Sequence, residues 1–257
     1  MTTLRHLELT ALPSIPLIRA GDDLAQIILD GLERCDIRVR DGDVIVVAQK
    51  VVSKAEGQLV DLRTVTPSPA AGKLAAVTNK DPRLVELILA ESTKVVRAVE
   101  NVLIVAHNRG YISAAAGIDR SNLEPGDGHE YVLLLPRDAA RSCADLRARL
   151  QAATGARLGV IINDSHNRPW RSGAVGVALA VAGTPAVANM RGKPDLFNRM
   201  LKSTLVGVAD ELASAASILM GQSDEGCPVV HVRGVPYPLS EGRSEDLIRP
   251  KEEDLFR

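Results

Sequence analysis

Four short polar clusters hold the residues of this sequence best suited to chemistry. They are Gln49-Lys50 with Ser53-Lys54-Ala55-Glu56-Gly57, the stretch Gly117 to Asn122 (GIDRSN), Asp164-Ser165 with Arg168 and Arg171, and Gly221 to Gly226 (GQSDEG). Asp119, Asp164, the Ser165 hydroxyl and the Gln222 amide oxygen are hard oxygen donors of the kind that Mg²⁺ or Mn²⁺ takes. Lys50, Lys54, Arg168 and Arg171 are cations able to neutralise phosphate. Together they read as a metal–nucleotide site. Each cluster also has a plain structural reading: Asp119 as a turn cap, Lys54 to Glu56 as a solvated ion-paired surface, and QSDEG as a helix end stopped by Gly. Asp22-Asp23 reads as a helix cap rather than a metal pair, and His166 as a surface loop residue. On the residues alone the chain is a magnesium-dependent phosphate enzyme, with a metal-dependent phosphohydrolase and a non-catalytic nucleotide-binding protein as alternatives.

Such clusters act together only if secondary structure brings them to one place, and each is predicted at the end of an element, where backbone groups are free. Asp22 to Arg34 has Leu24, Ile27, Ile28 and Leu32 at helical spacing, with Asp22 as its cap. Asp43 to Ala48 (DVIVVA) is β-branched and apolar throughout, as a buried strand requires. The segment TVTPSPAAG reads as a loop and DPRLVELILAES as a helix with Pro82 in its first turn. Strands are predicted over Val102 to Ala106, Tyr131 to Leu135, Arg157 to Ile162 and Ala174 to Ala182. Helices are predicted over Asp138 to Ala153 and Ser203 to Met220. Strands and helices mix without a βαβ repeat, so the fold class is α/β in the broad sense, leaning to α+β. No P-loop and no GxGxxG after a strand is present, which argues against ordinary NTPase and Rossmann readings.

Composition narrows the function further. The 257 residues carry 31 basic and 32 acidic side chains, so no single-sign field favours duplex nucleic acid or an anionic membrane. Aromatic residues make up 2% of the chain, against 46% hydrophobic residues in all. The core must therefore be aliphatic, and a base-stacking surface is excluded. Three scattered cysteines, Cys35, Cys143 and Cys227, form no CxxC pair and fit a reducing compartment. With no signal-peptide pattern and no run of ~20 apolar residues, the expected location is the cytoplasm. The single Trp170 reads as a packing anchor for its loop.

The order and spacing of the clusters resemble the coenzyme F420-0:L-glutamate ligase family (F420 γ-glutamyl ligases). The resemblance runs from IPLIRAGDDL through GDVIVVAQKVVSKAEG, AAGIDRSN, VIINDSHNRPWRSG and LMGQSDEG to RPKEEDLFR, nearly the whole chain. It implies one ligase unit over 1–257 with a two-lobed fold of mixed sheets, in the stand-alone form without a nitroreductase-like domain, and an intertwined homodimer. It further implies a GTP-dependent enzyme of coenzyme F420 biosynthesis that uses Mg²⁺ or Mn²⁺, is helped by K⁺, and acts on coenzyme F420-0 and L-glutamate.

Carried over by motif, Asp119, Asp164, Ser165 and Gln222 hold metal. Ile15, Pro16, Leu17, Ile18, Gln49, Lys50, Lys54 and Asn122 hold GTP, together with Met220, Gly221, Gln222, Ser223, Asp224, Glu225, Gly226 and Cys227. Asp164 with Lys54, Arg168 and Arg171 forms the catalytic set, the three cations neutralising charge during phosphoryl transfer. The sequence departs from the family where it has Asp-Ser-His-Asn-Arg in place of Asp-Thr-x-Gly-Arg. Ser165 keeps the oxygen donor, and Asn167 is expected to take the left-handed backbone that the replaced glycine allows.

Overall fold

Apolar β-branched runs favour sheet interiors, where both faces are covered, and Val44 to Ala48 takes that place. A computed structural model describes residues 5–124, 130–167 and 169–254. The first elements are β1 (Glu8–Ala11), α1 (Leu24–Arg34), β2 (Val44–Ala48), α2 (Gln49–Ala55) and β3 (Leu59–Asp61). Next come α3 (Pro69–Thr78), α4 (Pro82–Ala90), β4 (Ser92–Val99), β5 (Val102–His107), β6 (Ile112–Ala114) and β7 (Tyr131–Leu133). The chain continues through α5 (Ala139–Thr154), β8 (Gly159–Asn167), β9 (Ala174–Ala182), β10 (Ala188–Asn189), β11 (Leu205–Val206), α6 (Val208–Met220) and β12 (Val229–Arg233).

Five strands form the main sheet in the order β1-β12-β2-β8-β9. Only β2 and β8 run parallel; the other neighbours are antiparallel. This mixed sheet, with three smaller sheets beside it, places the fold in the α/β class on its α+β side, distinct from a doubly wound parallel sheet. Alternation along the strands sends side chains to opposite faces. Ile45, Val47, Val160 and Ile162 pack against α1 and α5, whereas Val44, Val46, Ile161 and Val181 pack against α6. A third cluster, including Leu62, Val85, Ile88, Leu103, Val105 and Val132, lies between α3, α4 and the β4-β5-β6 sheet. Among the described residues the buried hydrophobic core contains no Phe, Tyr or Trp, as the aliphatic composition requires.

A buried ion cluster ties the sheet's central strands together. Asp43, at the entrance to β2, has its Oδ2 2.8 Å from His231 Nε2 and 2.7 Å from Arg233 Nη2, and Arg233 Nε donates to Oδ1 at 3.0 Å. Burial pushes the Asp43 carboxyl up, but these hydrogen bonds outweigh it and hold the group well below the usual carboxylate range.

Several sequence expectations need correction. The cap of α1 is Asp23, whose side chain accepts from Gln26 N; Asp22 instead accepts from Arg19 N at 2.7 Å. The second half of TVTPSPAAG is not loop but the start of α3, with Ser68 as its cap and Pro69 in its first turn. Strand β8 does not stop at Ile162 but runs on through Asn167, so Asp164 and Ser165 lie within a strand. Asn167 is accordingly extended, and the left-handed residue of the following turn is Trp170, at φ 64°. Trp170 is 85% exposed, which overturns its reading as a buried anchor.

The extension of β8 depends on one glycine. Gly176 of β9 pairs with Ser165, and a Cβ there would come within 2.3 Å of Ser217 Oγ and 2.4 Å of the Ala213 carbonyl. Gly176→Ala should therefore lose about 1–3 kcal/mol by overpacking between β9 and α6. Equilibrium urea denaturation checks this; an unchanged midpoint would show that the helix shifts aside freely.

Candidate active site

The four polar clusters converge through hydrogen bonds between elements far apart in sequence. Lys50 and Lys54 lie one turn apart on α2, which starts directly after the buried strand β2. Lys50 Nζ is 2.8 Å from Asp119 Oδ2 and also reaches Ser121 Oγ. Lys54 Nζ donates to the Asn122 carbonyl at 2.7 Å. Asn122, left-handed at φ 56°, turns its amide to donate to the Ser223 carbonyl at 2.9 Å. Ser165 Oγ donates to Gln222 Oε1 at 2.8 Å, joining β8 to the loop after α6.

Local structure fixes Asp119 firmly. Its backbone exchanges two hydrogen bonds with Leu133 of β7, at 2.9 and 3.0 Å. The turn before it has Ala115, Ala116 and Gly117 all at positive φ, a costly conformation for alanine that clusters at functional sites. Gly117 is required there, since a Cβ would lie 2.7 Å from Leu135 Cδ1. Asp119 Oδ1 accepts from both the backbone and the hydroxyl of Ser121, at 2.8 and 2.9 Å. Burial raises the Asp119 carboxyl, but Lys50 and Ser121 outweigh that and hold it below the ordinary carboxylate value. Burial, and then the nearby Lys50 charge, lowers the Lys54 pKa.

Asp164 and His166, two apart on β8, share one face of the strand, and His166 Nε2 lies 2.9 Å from Asp164 Oδ2. Ser165 points the other way, toward Gln222. His166 is thus no loose surface residue: its side chain is 17% exposed and paired with Asp164. Behind it Tyr111 stands with its ring 6.2 Å from the imidazole and stacks on His107 at 4.6 Å. Burial lowers the His107 pKa to about 4, so that ring is neutral, and its Nδ1 accepts from Arg109 N at 3.1 Å.

The remaining candidates are placed less directly. Gln49 is buried and accepts from Ser53 Oγ at 3.0 Å, so its side chain is engaged within α2. The Ile15 to Ile18 segment leads past the end of α2, where Gly21 N donates to the Ala55 carbonyl and Arg19 stands 3.9 Å from Glu124. Ile18 is buried and Leu17 exposed. Met220 is a core residue, Gly221 N closes the last turn of α6, and Ser223 N donates to Glu225 Oε2 at 2.8 Å. Asp224 and Gly226 are exposed and Cys227 is a half-buried free thiol. Arg171 is exposed in the turn after β8, and Arg168 lies outside the described residues.

The oxygen donors fit a hard cation in kind. The hydrogen bond from Ser165 Oγ to Gln222 Oε1 brings two of these donors together, whereas Asp164 lies on the other face of β8 beside His166. Among the described residues no three His, Cys, Asp or Glu side chains gather as a ready-made metal cluster. Asp119 is also engaged by Lys50, so a cation there needs that lysine to turn away.

A cavity of about 420 Å³ lies beside this network, at the β9 edge of the main sheet, with His166 in its wall. Arg109, Tyr111, Asp138, Asp210 and Glu245 also face it. Sequence reasoning missed all of these. The one available signal was the i, i+2 spacing of Asp164 and His166, which shares a face only if the polar segment is read as strand.

A mixed α/β scaffold thus brings lysines, carboxylates and an amide oxygen from four segments to one place. The family described as F420-0:Gamma-glutamyl ligase matches residues 13–234, and the chain belongs to that family of ligases. It is 44% identical over 253 residues to the coenzyme F420:L-glutamate ligase of Methanothermobacter thermautotrophicus, covering 98% of this chain and 99% of the relative. The enzyme of the same name from Methanopyrus kandleri is 45% identical over 244 residues, with 93% of each chain covered. That of Methanocaldococcus jannaschii is 41% identical over 245 residues, covering 95% and 94%. Among the described residues no helix is long and apolar enough to cross a membrane.

Proposed function

We propose that this protein joins L-glutamate to coenzyme F420-0 through an amide bond in coenzyme F420 biosynthesis, using GTP. The observation that carries this reading is that the four clusters are joined pairwise, Lys50 to Asp119, Lys54 to Asn122, Asn122 to Ser223 and Ser165 to Gln222, in a chain of this family. Amide formation in water is uphill, so the carboxylate must first be activated. The γ-phosphoryl group passes from GTP to an oxygen of the terminal F420-0 carboxylate, giving an acyl phosphate and GDP. The α-amine of glutamate then forms the amide bond, phosphate leaves, and the nitrogen gives up a proton. Further γ-linked glutamates are added by the same steps.

Carboxylate and triphosphate repel each other, so positioning and charge neutralisation dominate such a transfer. Lys50 and Lys54 face the phosphates from α2, with Arg168 and Arg171 assigned to the same task. The Met220 to Cys227 turn, the Ile15 to Ile18 segment, Gln49 and Asn122 shape the nucleotide site. Asp119, Asp164, Ser165 and Gln222 would hold Mg²⁺ or Mn²⁺, which would supply electrostatic stabilisation of the transferring group, and K⁺ belongs to the same expectation. The reading includes a cytoplasmic homodimer. Supporting it, Leu196, Phe197 and Met200 between β10 and β11 are 97, 83 and 60% exposed, an apolar tip that a second copy would cover.

Incubation with F420-0, GTP, Mn²⁺ and L-glutamate tests the reading. Mass spectrometry should show one or more glutamyl units added as GDP is released. GTP hydrolysis that proceeds equally well without F420-0 and yields no glutamyl product would instead favour a phosphohydrolase.

A further inference from the structure

We infer that the cavity at the β9 edge is the binding site for the incoming amino acid, with Arg109 anchoring a carboxylate and Asp210 the ammonium group. The identity of that amino acid as L-glutamate rests on the ligase reading; the chemistry of the pocket does not. Its position is the first argument. His166 lines the cavity and is bonded to Asp164 at 2.9 Å, so one side chain separates the cavity from a proposed metal ligand. An amine entering there would meet a carboxylate activated at the network.

Charge is the second argument. The wall carries one guanidinium, Arg109, against three carboxylates, Asp138, Asp210 and Glu245. The carboxylates attract an ammonium group, while the guanidinium offers planar donors to a carboxylate. Arg109 Nη1 stands 3.7 Å from Asp138 Oδ1, too long for a hydrogen bond, so this contact leaves its donors available to a ligand.

Rigidity is the third. Arg109 follows His107, whose neutral ring accepts the Arg109 backbone N–H and stacks on Tyr111, fixing the turn that presents the guanidinium. Asp210, in the first turn of α6, spends Oδ1 on the Ala178 N–H at 2.9 Å, which orients the carboxyl. The pocket therefore holds a braced cation, Arg109, and a braced carboxyl, Asp210, whose pKa burial raises and a bound ammonium group would lower.

Two measurements test the assignment. In steady-state assays with F420-0 and GTP saturating, Arg109→Ala and Asp210→Asn should each raise the KM for glutamate about tenfold or more, the scale of one charge-assisted hydrogen bond. The KM values for F420-0 and GTP should stay within about twofold of wild type, since those ligands sit elsewhere. Asp210→Asn retains an acceptor for Ala178, and Arg109→Lys should restore part of the affinity, which separates ligand contact from misfolding. Saturation-transfer NMR of L-glutamate, independent of turnover, should show binding to the wild type that Arg109→Ala weakens. Unchanged glutamate binding in Arg109→Ala, or a rise in the F420-0 KM alone, overturns the assignment. Glutamate that binds through Arg109 without being incorporated would leave the pocket standing and sink the ligase reading instead.

Discussion

Asp164→Asn should slow glutamate addition by ~100-fold or more, the loss seen when one strong electrostatic contributor is removed from a reacting site. The substitution keeps size and shape, so β8 and its pairing with Val177 should survive. What it removes is a negative charge whose side chain is only 12% exposed and is paired with His166 on the face of β8 opposite Ser165. Single-turnover formation of the glutamyl product, compared with wild type at saturating GTP and metal, is the direct measurement. Near-normal turnover would remove Asp164 from the phosphoryl-transfer site. An altered metal requirement at reduced rate would be its expected signature, since a carboxamide is a weaker ligand for a hard cation.

The second large effect concerns stability. Asp43→Ala should cost about 3 kcal/mol, the low end for a broken buried pair, because it leaves the buried His231 and the half-buried Arg233 without their anion. Asp43 itself is 1% exposed, so water cannot replace it. Its folded pKa is depressed, so the stabilisation is complete above the unfolded carboxyl value, about 4, and is lost as pH falls below it toward the folded value. Urea denaturation at pH 7 should show the variant far less stable than wild type, and the difference should narrow as the pH is lowered below 4. A constant difference across that range would assign the loss to packing.

The main frame was readable because hydrophobic pattern and caps agree there. DVIVVA could only be buried, and Ala174 to Ala182 and the helices α1 and α5 carry clear apolar spacing. Strand β4 was invisible since its burial is only partial and two register shifts break its alternation. NDSHN reads as loop from its polarity, yet it continues β8 because small residues of β9, above all Gly176, let the pair pass close to α6. The candidate site shows the same division. Each polar cluster stands out in the sequence, but the contacts that join them span 57 to 101 residues, a distance over which spacing carries no information. Arg109 and Asp210 are single charges in ordinary surroundings, and only the folded cavity gives them a common direction.

The way β9 ends the main sheet has a further consequence. A free strand edge is a template on which other chains can pair and aggregate. Here two of the outward amides are already taken: Ala178 N–H by Asp210 and Val181 N–H by Ser244 of the C-terminal segment, at 2.9 and 3.2 Å. A foreign strand pairing over Ala178 to Val181 would have to break both bonds and displace that segment. Along this stretch the edge is thus guarded by side chains rather than by a covering helix, which favours self-association through another surface, such as the apolar tip between β10 and β11.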